Sequence, residues 1–245
     1  MSREESGEPG APEDPVDALY EEAEQTLDDG EFEDALSLFE DVLREDPEHW
    51  GAALRRAECL HLLWHTDEAL EAVRALRPPE DEEDDPDRVD LEGRILEATG
   101  DAARAERCFI EAHELDPETY PLPVRLSDHD FRTLLDRVLE SMPPAIRQAV
   151  EEVPVVVESR PTAEMAGKEP HLTPEILGLF VGTPVGESTQ APSGYGDVVL
   201  LFQRNLERIG RNRAEVQREV RITLLHEYGH YLGFDEEDLE HLGLG

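Results

Sequence analysis

Three residues near the C-terminus, His226, Glu227 and His230, form the pattern H-E-x-x-H. On an α-helix, positions four apart are separated by about 400° of rotation, so the two imidazoles project from one face. Such a pair is suited to hold a zinc ion. Glu227 lies about 100° away around the helix axis, where its carboxylate can reach a metal-activated water without binding the metal itself. The spacing therefore predicts two metal ligands and a general base.

A catalytic zinc needs a third protein ligand, because its fourth position stays open for water or substrate. Gly233 follows the second histidine by three residues, and a glycine there can adopt positive φ, end the helix and turn the chain back. The first carboxylates after it are Asp235 and Glu236. We expect Glu236 to be the third ligand, with Asp235 as the alternative. The competing interpretation is a chance match on an acidic helix, with structural histidines and solvated carboxylates.

The C-terminal half, from about Phe131 to Gly245, resembles the bacterial zincin-like metallopeptidase family. Besides the motif helix, the segments that carry the resemblance are Leu139–Pro144, Val155–Pro161, Leu177–Gly182 and Val198–Phe202. The resemblance implies a compact zinc hydrolase domain in which His226 and His230 bind the metal and Glu227 is the base. It also implies that the residue three after Gly233 is the third ligand; here that residue is Glu236, where the family usually carries Asp or His.

The elements that must hold these residues can be predicted from periodicity. Apolar spacing of i, i+3 and i+4 predicts a helix at Asp130–Ser141, and Pro143 and Pro144 end it and open the next, Ala145–Glu151. The motif lies on a third predicted helix, Glu215–Leu232. Runs rich in β-branched residues predict three strands: Val153–Glu158, Leu177–Val181 and Val198–Gln203. We therefore expect a small α+β domain, a sheet backed by helices.

A peptide substrate suits this arrangement, because an extended chain can pair with an exposed sheet edge. The strand Val198–Gln203 is the candidate for that edge, and an ordinary core strand is an equal alternative. Glu227 would take a proton from the metal-activated water and pass it to the leaving amine. The group that stabilises the oxyanion is open: an arginine or Tyr195 could do so, but spacing selects neither.

The N-terminal half contains an internal repeat. Residues 30–47 recur as residues 100–117, with matching Gly, Ala, Phe and Pro positions, 70 residues apart or twice a 35-residue unit. This half resembles tetratricopeptide repeats, and we expect three helix-turn-helix repeats, the middle one with an irregular turn at Trp64–Thr66. The predicted domains are a disordered segment at 1–15, repeats at 16–119, a linker at 120–127 and the zincin-like domain at 128–245.

Composition restricts the partners. The chain has 60 acidic and 22 basic residues and a net charge of −38, which disfavours nucleic acid and anionic membranes and favours basic peptides or proteins. Added solubility is an equally good explanation of the charge.

Cys59 and Cys108 have no C-x-x-C spacing, so reduced core cysteines are expected. Without a signal-peptide core or an apolar stretch long enough for a membrane span, a cytoplasmic location is predicted.

Together these features predict a zinc-dependent metallopeptidase, with Glu227 as general base, joined to a tetratricopeptide module that recruits a peptide or protein. The alternative is a non-enzymatic adaptor in which the repeats bind a partner and the metal site is structural or vestigial.

Overall fold

A computed structural model of the chain describes residues 15–78, 84–167, 172–185 and 197–241, apart from the side chains of Glu236 and Glu240. By its internal contacts the chain divides into two compact units, Met1–Asp84 and Asp85–Gly245. The architecture is α+β, as predicted: helices alone come first, and a small mixed sheet with further helices follows. The predicted disorder at 1–15 falls almost entirely outside the described residues, and Pro15 begins the first helix.

The first unit contains two helical hairpins. Its helices are α1 (Pro15–Asp28), α2 (Phe32–Glu45), α3 (Trp50–Leu62) and α4 (Thr66–Ala75). Small and aromatic side chains at helical spacing form the core between them: Ala23, Ala35, Phe39, Val42, Ala52 and Cys59. Small residues allow helix axes to approach closely, so the buried alanines explain the tight packing of neighbouring helices.

The second unit begins with a third hairpin, α5 (Pro86–Thr99) and α6 (Ala102–Leu115). Asp85 caps α5 by accepting hydrogen bonds from the backbone N–H groups of Asp87 and Arg88, and Pro86 occupies the first turn, where its missing N–H has no consequence. The Phe109 ring of α6 packs directly on Gly93 of α5, because a Cβ at Gly93 would lie 2.8 Å from the ring. A glycine within this helix therefore serves close packing.

The turns of the three hairpins have one conformation. Gly30 and Gly100 have φ values of 80° and 88°, and Trp64 has a φ of 65° between α3 and α4. Glycine adopts this left-handed region without strain, whereas another residue loses about 1–2 kcal/mol there. The irregular turn that the sequence predicted in the middle repeat thus keeps the backbone shape of the glycine turns, at the expense of strain at Trp64.

The sheet has three strands: β1 (Val155–Glu158), β2 (Gly178–Val181) and β3 (Val198–Phe202). Their order is β1-β3-β2, with β1 parallel and β2 antiparallel to β3. All three predicted strands are present. The prediction that Val198–Gln203 is a free edge is wrong, because β3 is paired on both sides. Among the residues that the structure describes, the edges of this sheet are β1 and β2.

The described residues of this half form six further helices: α7 (Asp128–Ser141), α8 (Pro144–Ala149), α9 (Ala163–Ala166), α10 (Gln203–Ile209), α11 (Arg213–Tyr231) and α12 (Glu236–His241). One core joins α7 and α11 to the sheet through Phe131, Leu134, Val199, Leu201, Val220 and Leu224. The three helices predicted for this half correspond to α7, α8 and α11. The short helices α9, α10 and α12 were not predicted.

Candidate active site

The two histidines of the motif meet on one face of α11. Asn212 caps this helix by accepting hydrogen bonds from Ala214 and Glu215 N–H, and 19 continuous helical residues follow. The Nε2 atoms of His226 and His230 are 2.9 Å apart, and their rings are nearly perpendicular, at 83°. One helical turn has therefore brought two nitrogen donors to a single point, as the spacing predicts.

His230 is oriented by the backbone beyond the helix. Its Nδ1 lies 3.3 Å from the carbonyl oxygen of Phe234, so that a proton on Nδ1 is donated to that carbonyl. The Nε2 atom then keeps its lone pair and points toward His226. Metal-binding histidines are commonly held in this way, with the outer nitrogen donating to a carbonyl or carboxylate.

The donor pair fits a divalent metal. Two nitrogen ligands about 2.0–2.1 Å from a tetrahedral zinc are about 3.3 Å apart, so the observed Nε2 separation of 2.9 Å needs only a small opening. Imidazole nitrogens are also donors that zinc prefers. Among the described residues, no group of three His, Cys, Asp or Glu side chains forms a complete metal site.

Glu227 lies on the side of α11 that faces the sheet. It is buried, with 7% of its surface exposed, and its Oε2 accepts a hydrogen bond of 2.7 Å from the Phe180 N–H of β2. Because Phe202 N–H donates to Leu177 O, the alternation of an antiparallel pair directs the backbone groups of Gly178 and Phe180 away from β3. The carboxylate is therefore held at the outer edge of β2.

Gly178 allows β2 to lie against α11. A Cβ at this position would be 2.6 Å from the Thr223 methyl group and 3.0 Å from Glu227 Cγ, closer than side chains tolerate. On the same face of this strand, two residues further on, the Phe180 ring makes an edge contact with Tyr231 of α11, at 5.6 Å between centroids. The strand and the helix are thus fitted to each other along the length of the motif.

The chain reverses after the second histidine, as predicted. Gly233 has a φ of 89°, its N–H donates to His230 O, and Phe234 N–H donates to Gly229 O, which together form a Schellman motif. The helix α12 then begins at Glu236. Asp235 caps it, since its Oδ1 accepts a 2.9 Å hydrogen bond from Asp238 N–H.

These features are matched by known families. Residues 150–245 match the zincin-like metallopeptidase family. Residues 26–95 match the tetratricopeptide repeat family. Both resemblances, and their order along the chain, are thereby confirmed. A search of the curated proteins found no match to the chain.

Two residues proposed from the sequence for the zincin-like site are not described by the structure. The side chain of Glu236 lies outside the described part, although its backbone begins α12, and Tyr195 falls within the undescribed residues 186–196. The other candidate ligand, Asp235, is exposed and serves as the cap of α12. None of the helices that the structure describes is long and apolar enough to cross a membrane.

Three residues of the zincin-like site were missed from the sequence: Gly178, the backbone N–H of Phe180, and Gly229. An isolated glycine in a strand or helix pattern indicates close approach of another segment, and both glycines showed that signal. Leu239 of α12 packs on Gly229. No pattern could reveal the role of Phe180, since it acts through its main chain.

Proposed function

We propose that the chain is a zinc-dependent metallopeptidase that hydrolyses peptide bonds with Glu227 as general base. The observation that carries the proposal is the meeting of His226 and His230 at Nε2, beside a buried Glu227 that is held by an edge strand. The match of residues 150–245 to zincin-like metallopeptidases supports it.

His226, His230 and Glu236 would hold the metal. Glu236 is the first residue of α12 and lies one turn before Leu239. Leu239 packs on Gly229, which lies between Glu227 and His230 in the motif. The packing of α12 therefore supports Glu236 as the third ligand, while the cap made by Asp235 gives that residue a different role.

The residues of the chain supply positioning and proton transfer. When bound, zinc supplies a Lewis acid that polarises a carbonyl and brings the pKa of a water to about 7. Glu227 takes a proton from the attacking water and passes it to the leaving amine. The Phe180 N–H restricts the rotation of the carboxylate, so the base is already in place before a substrate binds.

The substrate would be an extended peptide paired with the outer edge of β2. The N–H and C=O of Gly178 and the C=O of Phe180 point toward that edge, where the Phe180 N–H already holds Glu227. Main-chain pairing along a strand would place a peptide carbonyl next to the two histidines. This assigns to β2 the role that the sequence had suggested for β3.

Metal analysis and cleavage assays on the purified full chain test the proposal. We expect one zinc per chain, lost in His226→Ala and His230→Ala and retained in Glu227→Gln, with cleavage by Glu227→Gln reduced about 10²–10⁴-fold. Glu219→Gln is the matched control, since Glu219 lies on the same helix and pairs with Arg218. Zinc retention without any cleavage across an unfolded-peptide library would favour the non-enzymatic adaptor.

The first unit would recruit a basic peptide or protein. Helices α1 and α3 line a concave site of about 480 Å³ together with Gly30 and Phe32. Its charged side chains are three carboxylates, Glu24, Asp28 and Glu58, and one guanidinium, Arg55, which contacts Glu24 at 3.1 Å and Glu58 at 2.7 Å. The excess negative charge suits a Lys or Arg side chain, and Leu27 and Leu62 suit its aliphatic stem.

Peptide-binding measurements with the full chain test this recruitment site. We expect lysine- and arginine-rich peptides to bind in a salt-sensitive manner, and Asp28→Asn to weaken them. Asp29→Asn removes the same charge one residue away, from a side chain that does not line the site. Equal binding by the two variants contradicts the proposal.

The buried, reduced Cys59 and Cys108 support a reducing compartment such as the cytoplasm, which fractionation would test.

A further inference from the structure

We propose that Glu175 is a positioning residue of the hydrolytic site, through which α5 and α10 hold the edge strand β2 in register with Glu227. The catalytic consequence rests on the proposed peptidase function, but the positioning itself does not. Glu175 lies just before β2, in a segment that belongs to none of the helices or strands.

Two guanidinium groups from different helices hold the Glu175 carboxylate. Arg94 Nη1 of α5 lies 2.9 Å from Oε1, and Arg208 Nη2 of α10 lies 2.9 Å from Oε2. The side chains of Arg94, Arg208 and Glu175 are 17%, 13% and 22% exposed. Solvent therefore weakens these pairs much less than it weakens ordinary surface pairs. Each carboxylate oxygen has its own cation, which defines the orientation of the side chain.

Both arginines are themselves fixed by further carboxylates. Arg94 Nε lies 2.9 Å from Asp90 Oδ2 on α5, and Arg208 Nη1 lies 3.6 Å from Glu97 Oε2 on the same helix. Burial raises the pKa of Asp90 and of Glu97, which shows how far this group of charges is removed from water. Helix α5 is therefore joined to α10 and to the segment before β2 by a single ionic network.

The backbone on both sides of Glu175 is also held. Asn205 of α10 is 3% exposed, and its Nδ2 donates to Pro174 O at 2.9 Å and to Ile176 O at 2.7 Å. Immediately afterwards, Leu177 O accepts from Phe202 N–H of β3. Residues 174–177 are thus restrained by several hydrogen bonds to α10 and β3.

The segment from Glu175 to Phe180 connects this network to the base. Gly178 lies against Thr223 and Glu227, and two residues later Phe180 N–H donates to Glu227 Oε2 at 2.7 Å. Only six residues run from Glu175 to Phe180, and the last three belong to β2, so a shift at one end is passed along the backbone to the other. Displacement of Glu175 should therefore move the N–H that holds the Glu227 carboxylate.

Through Arg94, the third hairpin takes part in positioning the hydrolytic site. Arg94 lies within the tetratricopeptide match, which ends at residue 95, whereas Glu175 and Arg208 lie within the zincin-like match. All three belong to one compact unit, Asp85–Gly245. A residue on a repeat helix would thus help to place an active-site strand.

Hydrogen exchange on the full chain, combined with kinetics and metal analysis, tests this role. In Glu175→Gln we expect the amides of residues 176–181 to exchange about tenfold faster or more, because the strand loses one of its fixed points. Zinc content should not change, since His226 and His230 lie on α11. We expect kcat to fall about tenfold, as misplacement of a catalytic group predicts.

The matched control is Asp90→Asn. It removes the other carboxylate partner of Arg94 but leaves both contacts of Glu175. If Asp90→Asn accelerates exchange in residues 176–181 as much as Glu175→Gln does, or if Glu175→Gln leaves exchange or kcat unchanged in an active enzyme, the positioning role is overturned. If the wild-type chain cleaves no peptide, the exchange comparison alone decides, and the failure then belongs to the proposed function.

Discussion

Leu239 of α12 packs directly on Gly229 of α11. A Cβ at Gly229 would lie 2.4 Å from Leu239 Cδ2, and Leu239 is fully buried. Gly229 lies between Glu227 and His230 in the motif, and the position of α12 depends on the absence of a side chain there. The same contact holds α12, the helix Glu236–His241, against the motif helix.

Replacing Gly229 by Ala should therefore destabilise the zincin-like region and weaken zinc binding. The new methyl group overpacks the contact with Leu239 at a cost of about 1–3 kcal/mol, which exceeds the gain of up to about 1 kcal/mol in helix propensity. Gly167→Ala is the control, since its Cβ would meet only ordinary contacts, at 3.6 Å or more. Chemical denaturation and zinc titration provide the measurements. Equal values for the two variants contradict the role of Gly229.

The N–H of Phe180 can be removed without removing a ladder hydrogen bond. Proline is tolerated on an edge strand where its nitrogen points outward, and the Phe180 nitrogen points to Glu227 rather than to β3. We expect kcat of Phe180→Pro to be about tenfold or more below kcat of Phe180→Ala. The alanine variant is the control, because it loses the ring contact with Tyr231 but keeps the N–H. Steady-state kinetics of the two variants make the comparison. If Phe180→Ala is as slow as Phe180→Pro, the ring and not the hydrogen bond is responsible.

Local features of the site were predictable, and long-range ones were not. The face shared by His226 and His230 and the positive φ of Gly233 depend on a few neighbouring residues, so spacing and residue type suffice. Which strand lies at the edge depends on pairing between distant segments. An apolar run such as Val198–Phe202 is equally compatible with an edge strand and with a central strand. Helix α10 was missed because three of its four buried side chains, including Asn205, are polar and hide the amphipathic pattern.

The glycine turns of the first and third hairpins should respond differently to alanine. Gly30 and Gly100 both have positive φ, but a Cβ at Gly30 meets nothing within 4 Å, whereas at Gly100 it would lie 2.4 Å from Arg160 Nη2. Arg160 Nε also donates to Ala98 O. We expect Gly30→Ala to lower the free energy of unfolding by about 1 kcal/mol through backbone strain. Gly100→Ala should lower it by about 1 kcal/mol more, because the new methyl group displaces Arg160. Urea denaturation measures both, and a larger loss in Gly30→Ala contradicts the expectation.

Two amide substitutions distinguish the proposed third metal ligand, Glu236, from the helix cap, Asp235. Asparagine caps helices as well as aspartate does, so Asp235→Asn should retain α12 and leave zinc affinity within about twofold. Glu236→Gln should weaken zinc binding more than about 100-fold, beyond the 10–100-fold typical of residues that only orient a ligand. Competition with a chelator measures both affinities. The reverse result would assign the ligand to Asp235.

Cys59 should be protected in the folded chain and should make stability fall at high pH. Burial, and next the charge of Glu58, raise the pKa of its thiol from 9.0 to about 12. A raised pKa favours the neutral thiol in the folded state, so this contribution is fully present below pH 9.0 and is lost as the pH rises to about 12. The stability advantage of the wild type over Cys59→Ala should therefore shrink across that window, as thermal unfolding at several pH values would show.

In a Cys108→Ser background, a thiol reagent should modify Cys59 only after denaturation, and rapid labelling of the native chain would contradict its burial.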